Sequence, residues 1–363
     1  MPAYLHHIET IVPEHAYSQA EIGRRIADQY AGDRKLQRFV QQLYRRSAIE
    51  TRYSVIGDLK PYAASGIFFE PESGSFKMPT TGERNSHYTD AAKRLYATLA
   101  RRTVAATPGF EPADVSHVIT ASCTGFFAPG PDYVVSRALS LHPATSRFHL
   151  GFMGCYAALP ALRLAQAICL ADERAVVLVA CLELCTLHLR LDREVDNLIA
   201  SAVFADGGAA ALVTARERRG LRLRGFASSL TKNGEGDMAW TIGDHGFEMT
   251  LSSYVPSIVE GNVADAVAPL FGDLGARPQD IDRWAIHPGG RAILDKVAGG
   301  LRLEEGQTAA SRRVLRSYGN MSSASVLFVL RDLLDGGLEP GEHVAALAFG
   351  PGLTVESALM DAA

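Results

Sequence analysis

Cys155, His287 and Asn320 are the residues whose types and settings could do chemistry together. The cysteine stands in Gly151-Phe-Met-Gly-Cys155-Tyr-Ala-Ala-Leu-Pro160, the histidine in the turn His287-Pro288-Gly289-Gly290, and the asparagine in Tyr318-Gly-Asn320-Met-Ser-Ser-Ala-Ser. They offer a sulfur nucleophile, an imidazole able to act as base or donor, and a carboxamide donor. That set suits thioester chemistry. A thiol is mostly protonated at neutral pH, so a reactive cysteine needs help to ionise. Gly154 permits a tight turn. The Ala-rich run after Cys155 predicts a buried helix with the sulfur at its N-terminus, where the partial positive charge favours an anion. A neighbouring imidazolium would lower the thiol pKa further. Asn320 follows Gly319 and opens a second apolar run, so its carboxamide can project from a helix start into a cavity. His and Asn donors aimed at one point would stabilise an oxyanion or enolate. Taken singly, each motif has a plainer reading: an inert core cysteine, a turn, a helix cap.

An internal repeat lifts the three above those readings. Pro112-Ala-Asp114-Val115-Ser-His-Val118-Ile119 is similar to Pro278-Gln-Asp280-Ile281-Asp-Arg-Trp284-Ala-Ile286, each a Pro-x-Asp helix end leading into an apolar strand. Asp114 precedes Cys155 by 41 positions and Asp280 precedes Asn320 by 40. If the halves are structural copies, Cys155 and Asn320 occupy equivalent helix starts facing each other across a pseudo-twofold axis. His287 then lies at the C-terminal end of its strand, where open α/β sheets bind ligands.

The elements that must position these residues are legible in part. Ser18-Gln-Ala-Glu21 is a capping-box signature for a first helix. Residues 33–52 form a basic amphipathic stretch with Arg34, Lys35, Arg38, Arg45, Arg46 and Arg52. Residues 60–86, rich in Gly, Pro and Ser, predict an irregular loop, and a helix is expected from about Thr89 to Thr103 before a strand at 117–122. The Cys155 helix should run to about Leu170 and Ala175–Cys181 should be a buried strand. Val203–Val213 predicts a Gly-broken turn into another strand, and a second half starts near residue 227.

Composition narrows the function classes. The chain has 363 residues, enough for one large unit or two intimate domains, and is 47% hydrophobic and 21% charged, as in soluble globular proteins. A net charge of -4 gives no sign of nucleic-acid binding. No apolar run approaches the ~18–20 residues of a membrane span, and the N-terminus lacks a signal-peptide pattern. Five cysteines clustered at 123–185 suggest a reducing compartment, hence the cytoplasm. Cys181-Leu-Glu-Leu-Cys185 lacks zinc-ligand spacing, so no metal site is expected.

From the Gly-Cys helix to the C-terminus the chain resembles the type III polyketide synthases, the chalcone synthase-like branch of the thiolase superfamily. The resemblance is carried by Trp284-Ala-Ile-His287-Pro-Gly-Gly-Arg-Ala-Ile-Leu-Asp295, by Tyr318–Phe328 and by Phe349-Gly-Pro-Gly-Leu-Thr-Val-Glu356, with weaker similarity back to the N-terminus. It implies an α/β thiolase fold, a duplicated five-layer α/β/α/β/α sandwich with halves at 1–226 and 227–363, and a homodimer. It implies that Cys155 carries the acyl chain while His287 and Asn320 promote malonyl-CoA decarboxylation and hold the enolate. The partners are then acyl-CoA and malonyl-CoA, and no metal, nicotinamide or flavin is required.

The same resemblance extends to the cavity. Arg46 falls at a family position for the CoA phosphates. Gln42 and Phe39 sit where further basic residues are expected, so Lys35, Arg38 or Arg45 could substitute. Gly289, Gly290 and Ala292 match a stretch that packs on the pantetheine arm. Phe204 matches one gatekeeper phenylalanine, whereas Met249 replaces the second, and methionine is slimmer and more adaptable than a ring. Ala128 stands where plant members carry a bulkier residue that reaches across the dimer interface. Cys185 and His188 fall where plant enzymes place small hydroxyl residues. Glu183-Leu-Cys-Thr-Leu-His188 resembles the bacterial alkylresorcinol and alkylpyrone synthases, which take fatty acyl starters. An apolar tunnel for an aliphatic chain is therefore expected, with Trp240 lining or blocking part of it. Three alternatives stay open: a 3-oxoacyl-ACP synthase III-like condensing enzyme, a malonyl-CoA-primed type III synthase, and a Cys-His-Asn hydrolase.

Overall fold

A computed structural model describes residues 2–59, 66–70, 72–275 and 277–363. Residues 60–65 and 71 of the expected 60–86 loop lie outside the described residues. In the N-terminal part come β1 (Ala3–Ile11), β2 (His15–Ser18), α1 (Gln19–Asp28), α2 (Arg34–Arg46), β3 (Thr51–Ser54) and α3 (Thr81–Ala105). Next follow β4 (His117–Ser122), α4 (Pro131–Ala138), β5 (Ser146–Gly151), α5 (Ala158–Ala171), β6 (Val176–Leu184), α6 (Val195–Val203) and β7 (Asp206–Thr214). The rest comprises β8 (Leu221–Leu230), β9 (Met238–Gly243), β10 (Gly246–Leu251), α7 (Val255–Leu274), β11 (Arg283–Ile286), α8 (Arg291–Leu301), α9 (Ala309–Tyr318), α10 (Ser325–Asp335), β12 (His343–Gly350) and β13 (Thr354–Ala362).

The repeat suggested by the two Pro-x-Asp segments is visible in the strand order. One continuous sheet runs β11-β12-β13-β8-β1-β7-β6-β4-β5. A short 3-10 turn at Pro112–Asp114 leads into β4 and another at Pro278–Asp280 leads into β11. β4 pairs parallel with β6 as β11 does with β12, and β6–β7–β1 are antiparallel as are β12–β13–β8. The two strand sets meet along a short antiparallel ladder, Ala3–Leu5 against Leu221–Leu223. Residues 226 and 227 are neighbours inside β8.

Layering follows from which faces are apolar. α5 is Ala- and Leu-rich because most of it is buried, with Ala158, Leu159, Ala161, Leu162, Ala165 and Cys169 fully inaccessible, while Ala167, Leu170 and Ala171 near its C-terminus are exposed. α5 and α10 form the middle layer and touch strands of both sets, with α3 outside the first set and α7 outside the second. The result is an α/β/α/β/α stack.

Two helix starts differ from expectation. α3 begins at Thr81, well before Thr89, because Thr80 and Glu83 form a capping box: the Glu83 carboxylate accepts from the Thr80 N–H at 2.7 Å and the Thr80 hydroxyl accepts from the Glu83 N–H at 3.3 Å. Its polar first turns hid the helix inside a stretch of loop-like composition. Ser18 does precede α1, but its hydroxyl makes no cap bond. The Gln19 N–H is instead held by the Glu50 carbonyl at 2.9 Å.

Candidate active site

The cysteine turn is built by glycines. Gly154 has φ +83°, and a Cβ there would come within 2.7 Å of the Pro351 ring. A Cβ on Gly350 would come within 2.4 Å of the Tyr156 ring, so the Phe349-Gly-Pro-Gly loop packs directly over the cysteine turn. Cys155 lies just ahead of α5, as the sequence predicts.

Asn320 is placed by backbone contacts with a distant segment. Its N–H donates to the Val203 carbonyl at 2.9 Å and its carbonyl accepts from the Ala205 N–H at 2.8 Å, a one-rung parallel bridge with Phe204. Its Oδ1 accepts from the Ser322 N–H at 2.9 Å, which fixes the amide so that Nδ2 donates to the Gly289 carbonyl at 3.2 Å. A carboxamide nitrogen carries two protons, and the one not used on Gly289 reaches the Cys155 sulfur. His287 continues the β11 ladder, its N–H donating to the Leu347 carbonyl at 2.7 Å. Its ring is 2% exposed, and neither ring nitrogen has a partner among the described residues. Both nitrogens are therefore free to serve an incoming molecule.

Burial dominates the electrostatics. It pushes the Cys155 thiol up to about 12, although hydrogen bonds from the Ser322 and Asn320 side chains favour the anion. It pushes the His287 imidazole down to about 3. Neither group ionises cheaply alone. Opposite charges formed together attract strongly in a low-dielectric cavity, so moving the proton from sulfur to imidazole is the economical way for both.

Behind the sulfur lies a polar chain that sequence reasoning missed. The Cys123 sulfur is 3.4 Å from the Ser322 hydroxyl and 3.4 Å from Oε2 of Glu183. Glu183 is fully buried and accepts from the Cys123 N–H at 2.9 Å, from the Thr124 hydroxyl at 2.9 Å and from the Ser323 hydroxyl at 2.5 Å. Burial raises its pKa against these bonds. The adjacent serines after Asn320-Met were the only visible signal.

Cys155, His287 and Asn320 line one largely apolar cavity of about 500 Å³. Phe204, Met249, Cys185, His188, Trp240, Gly289, Gly290, Ala292 and Arg46 line it too. Lys35 and Ala128 do not: both are exposed, Lys35 on α2 and Ala128 between β4 and α4. The basic stretch divides, with Arg34, Lys35, Arg38, Arg45 and Arg46 exposed while Arg52 is buried in the cavity wall. Phe247, not anticipated, completes an aromatic wall. Its N–H donates to Nδ1 of His188 at 2.9 Å, which leaves the proton on Nε2 to donate to the Thr124 carbonyl at 2.8 Å. The His188 ring stacks on Phe247 with centroids 4.2 Å apart, and Trp240 stands edge-on to it at 5.4 Å. The Trp240 indole N–H donates to the Cys123 carbonyl at 2.7 Å. Trp240 thus lines the cavity beside Cys123. No cluster of metal-ligating side chains occurs among the described residues.

Comparison with known proteins agrees with this arrangement. The family model for the N-terminal domain of chalcone and stilbene synthases matches residues 2–217, and that for their C-terminal domain matches 223–363. The alpha-pyrone synthesis polyketide synthase-like Pks18 of Mycobacterium tuberculosis is 30% identical over 368 residues, covering 99% of this chain and 91% of its own. The crystal structure of PKS-I from the brown alga Ectocarpus siliculosus superposes with a TM-score of 0.92 at 29% identity, covering 100% of this chain and 98% of that one. The 1,3,6,8-tetrahydroxynaphthalene synthase of Streptomyces coelicolor A3(2), a bacterial type III polyketide synthase, superposes with a TM-score of 0.89 at 28% identity over 99% of both chains.

Proposed function

Because the chain belongs to the chalcone and stilbene synthase family of type III polyketide synthases, decarboxylative condensing acyltransferases with the thiolase fold that use CoA thioesters without a cofactor, we propose that it extends a fatty acyl-CoA with malonyl-CoA and cyclises the product to an alkylpyrone or alkylresorcinol. The observation that carries this reading is the meeting of Cys155, two unpartnered His287 nitrogens and the oriented Asn320 amide in one apolar cavity.

In this reading the Cys155 thiol passes its proton to His287 as sulfur attacks the starter thioester, and CoA leaves as the thiol after taking that proton back. Malonyl-CoA then binds with its thioester oxygen against Asn320 Nδ2 and a His287 N–H. Loss of carbon dioxide leaves an enolate, and donors within ~3 Å of that oxygen stabilise it as charge develops. The enolate carbon attacks the Cys155 thioester and expels the thiolate, leaving the lengthened chain on CoA; the thiolate then attacks that thioester, takes the chain and releases CoA for the next round. Arg46, beside Phe39 and Gln42 at the cavity wall, is proposed for the CoA phosphates, with Gly289, Gly290 and Ala292 along the pantetheine arm. Lys35, exposed on the same helix, could reach the phosphates only outside the cavity.

Similarity to the alpha-pyrone relative and the apolar wall with Met249 in place of a ring support an aliphatic starter. One observation favours a second reading, a short or malonyl starter: the bonded Trp240–His188–Phe247 wall takes up room beside Cys123. Product mass spectrometry with malonyl-CoA and starters from acetyl- to octadecanoyl-CoA separates the two. Best turnover with long starters supports the first, and product from malonyl-CoA alone would replace it with the second.

A homodimer is also proposed. β5 is an outer edge of the sheet and carries Phe148 at 40% exposure, and Ala128 is exposed as well. Cytoplasmic residence is proposed from five free cysteines. No helix among the described residues is long and apolar enough to cross a membrane.

A further inference from the structure

We propose that Arg52 is a positioning residue, whose buried guanidinium caps the end of α6 and thereby fixes Asn320 in the geometry the enolate requires. The inference rests on the reading of Asn320 as the enolate donor.

Arg52 sits on β3 at 5% exposure and makes no direct ion pair among the described residues, although the buried Asp206 carboxylate is near enough to feel its charge. Burying a cation without a paired anion is costly, so something must answer the charge. The carbonyls at the C-terminus of α6 do. Nη1 donates to the Ser201 carbonyl at 2.7 Å and to the Phe204 carbonyl at 2.7 Å, at the negative pole of the helix.

The neighbouring carbonyls are all engaged. Ser201 also accepts from the Tyr44 hydroxyl at 2.9 Å, Ala202 accepts from Gln19 Nε2 at 2.7 Å, and Val203 accepts from the Asn320 N–H itself at 2.9 Å. Asn320 is therefore docked on a helix end whose orientation side chains from α1, α2 and β3 determine, and Arg52 supplies the only charge. The same arginine touches the other side of the junction. A Cβ on Gly319 would lie 3.1 Å from Cγ of Arg52, so its stem underlies the residue before Asn320. β3 is itself anchored, because the Val55 N–H donates to the buried Asp206 carboxylate at 2.8 Å. Both Nη1 protons are spent on carbonyls, and it is through those bonds that Arg52 acts on Phe204 and Asn320.

The test separates the two half-reactions. Arg52→Met should lower malonyl-CoA decarboxylation by about 10²-fold, the scale expected of a misplaced catalytic group, with KM little changed. Acylation of Cys155 by starter acyl-CoA should stay within about threefold, because the Ser322 hydroxyl and the Gly154 turn still serve the sulfur when the Asn320 amide is misplaced. Arg52→Lys, which keeps the charge but places it on a differently shaped head that lacks the planar guanidinium, should fall between. It carries the test alone if Arg52→Met does not fold. A folded Arg52→Met that decarboxylates normally, or loses both half-reactions equally, would overturn the proposal. Asn320→Ala run in parallel distinguishes the failures. If it decarboxylates normally, the reading of Asn320 falls first and the inference with it. If it fails while folded Arg52→Met does not, the inference alone is wrong.

Discussion

The Cys155 sulfur and the His287 ring line one cavity in which burial disfavours the charged form of each, and the proton transfer proposed between them has a measurable consequence. Burial pushes the thiol up to about 12, and a proton passed to the imidazole is the proposed way round that cost. The pH midpoint for alkylation of Cys155 by iodoacetamide is therefore expected to rise in His287→Gln, and an unchanged midpoint would mean that the two groups do not exchange a proton. A second consequence concerns stability. His188 and His287 are held neutral down to about 3 and His6 down to about 4. An unfolded histidine titrates near 6.5, so as pH falls from about 6.5 toward 4 the unfolded chain binds protons that the folded chain refuses. Stability should be fully present above that window and decline within it. His188→Gln should show a shallower decline in urea midpoint across the same range. The three chemical residues were legible because each sits in a short local motif. Glu183, Ser323 and Phe247 were not, because their contacts span 60 residues to Cys123, 140 to Glu183 and 59 to His188 and leave no local signature.

Two elements show how local chemistry sets the position of function. Thr80 and Glu83 start α3 by satisfying each other's backbone donors, so Thr80→Ala should cost about 1 kcal/mol in chemical denaturation with catalysis intact. The signature stood in the sequence, but its surroundings of Gly, Pro and Ser resembled a loop. At the cysteine turn, Gly154→Ala must strain a positive φ and push on Pro351. It should cost on the order of 1–3 kcal/mol and, more tellingly, slow acylation of Cys155 per folded molecule. A destabilised but normally acylated variant would show that the turn does not place the sulfur. α5 was legible as a helix from its composition, whereas α6 mattered through its carbonyl end, which no pattern of side chains advertises.

At the scale of the molecule, the duplicated strand order brings the two helix starts together. Two Pro-x-Asp segments were enough to suggest this, because each marks the same entry into a parallel strand. The edge strand β5 leaves the sheet open on one side. If two copies join there, Phe148→Asp should yield monomers by sedimentation velocity, whereas an unchanged sedimentation coefficient would place the contact elsewhere. The place of Trp240 was hardest to foresee, since it reaches the Cys123 carbonyl from a hairpin more than a hundred positions away. The most direct test of the central claim is peptide mass spectrometry on a quenched single turnover with acyl-CoA and malonyl-CoA. The acyl group, lengthened by ketide units, should be found on the Cys155 peptide in the wild type, and unlengthened in Asn320→Ala. Product formed with no adduct on Cys155, or in Cys155→Ala, would contradict it.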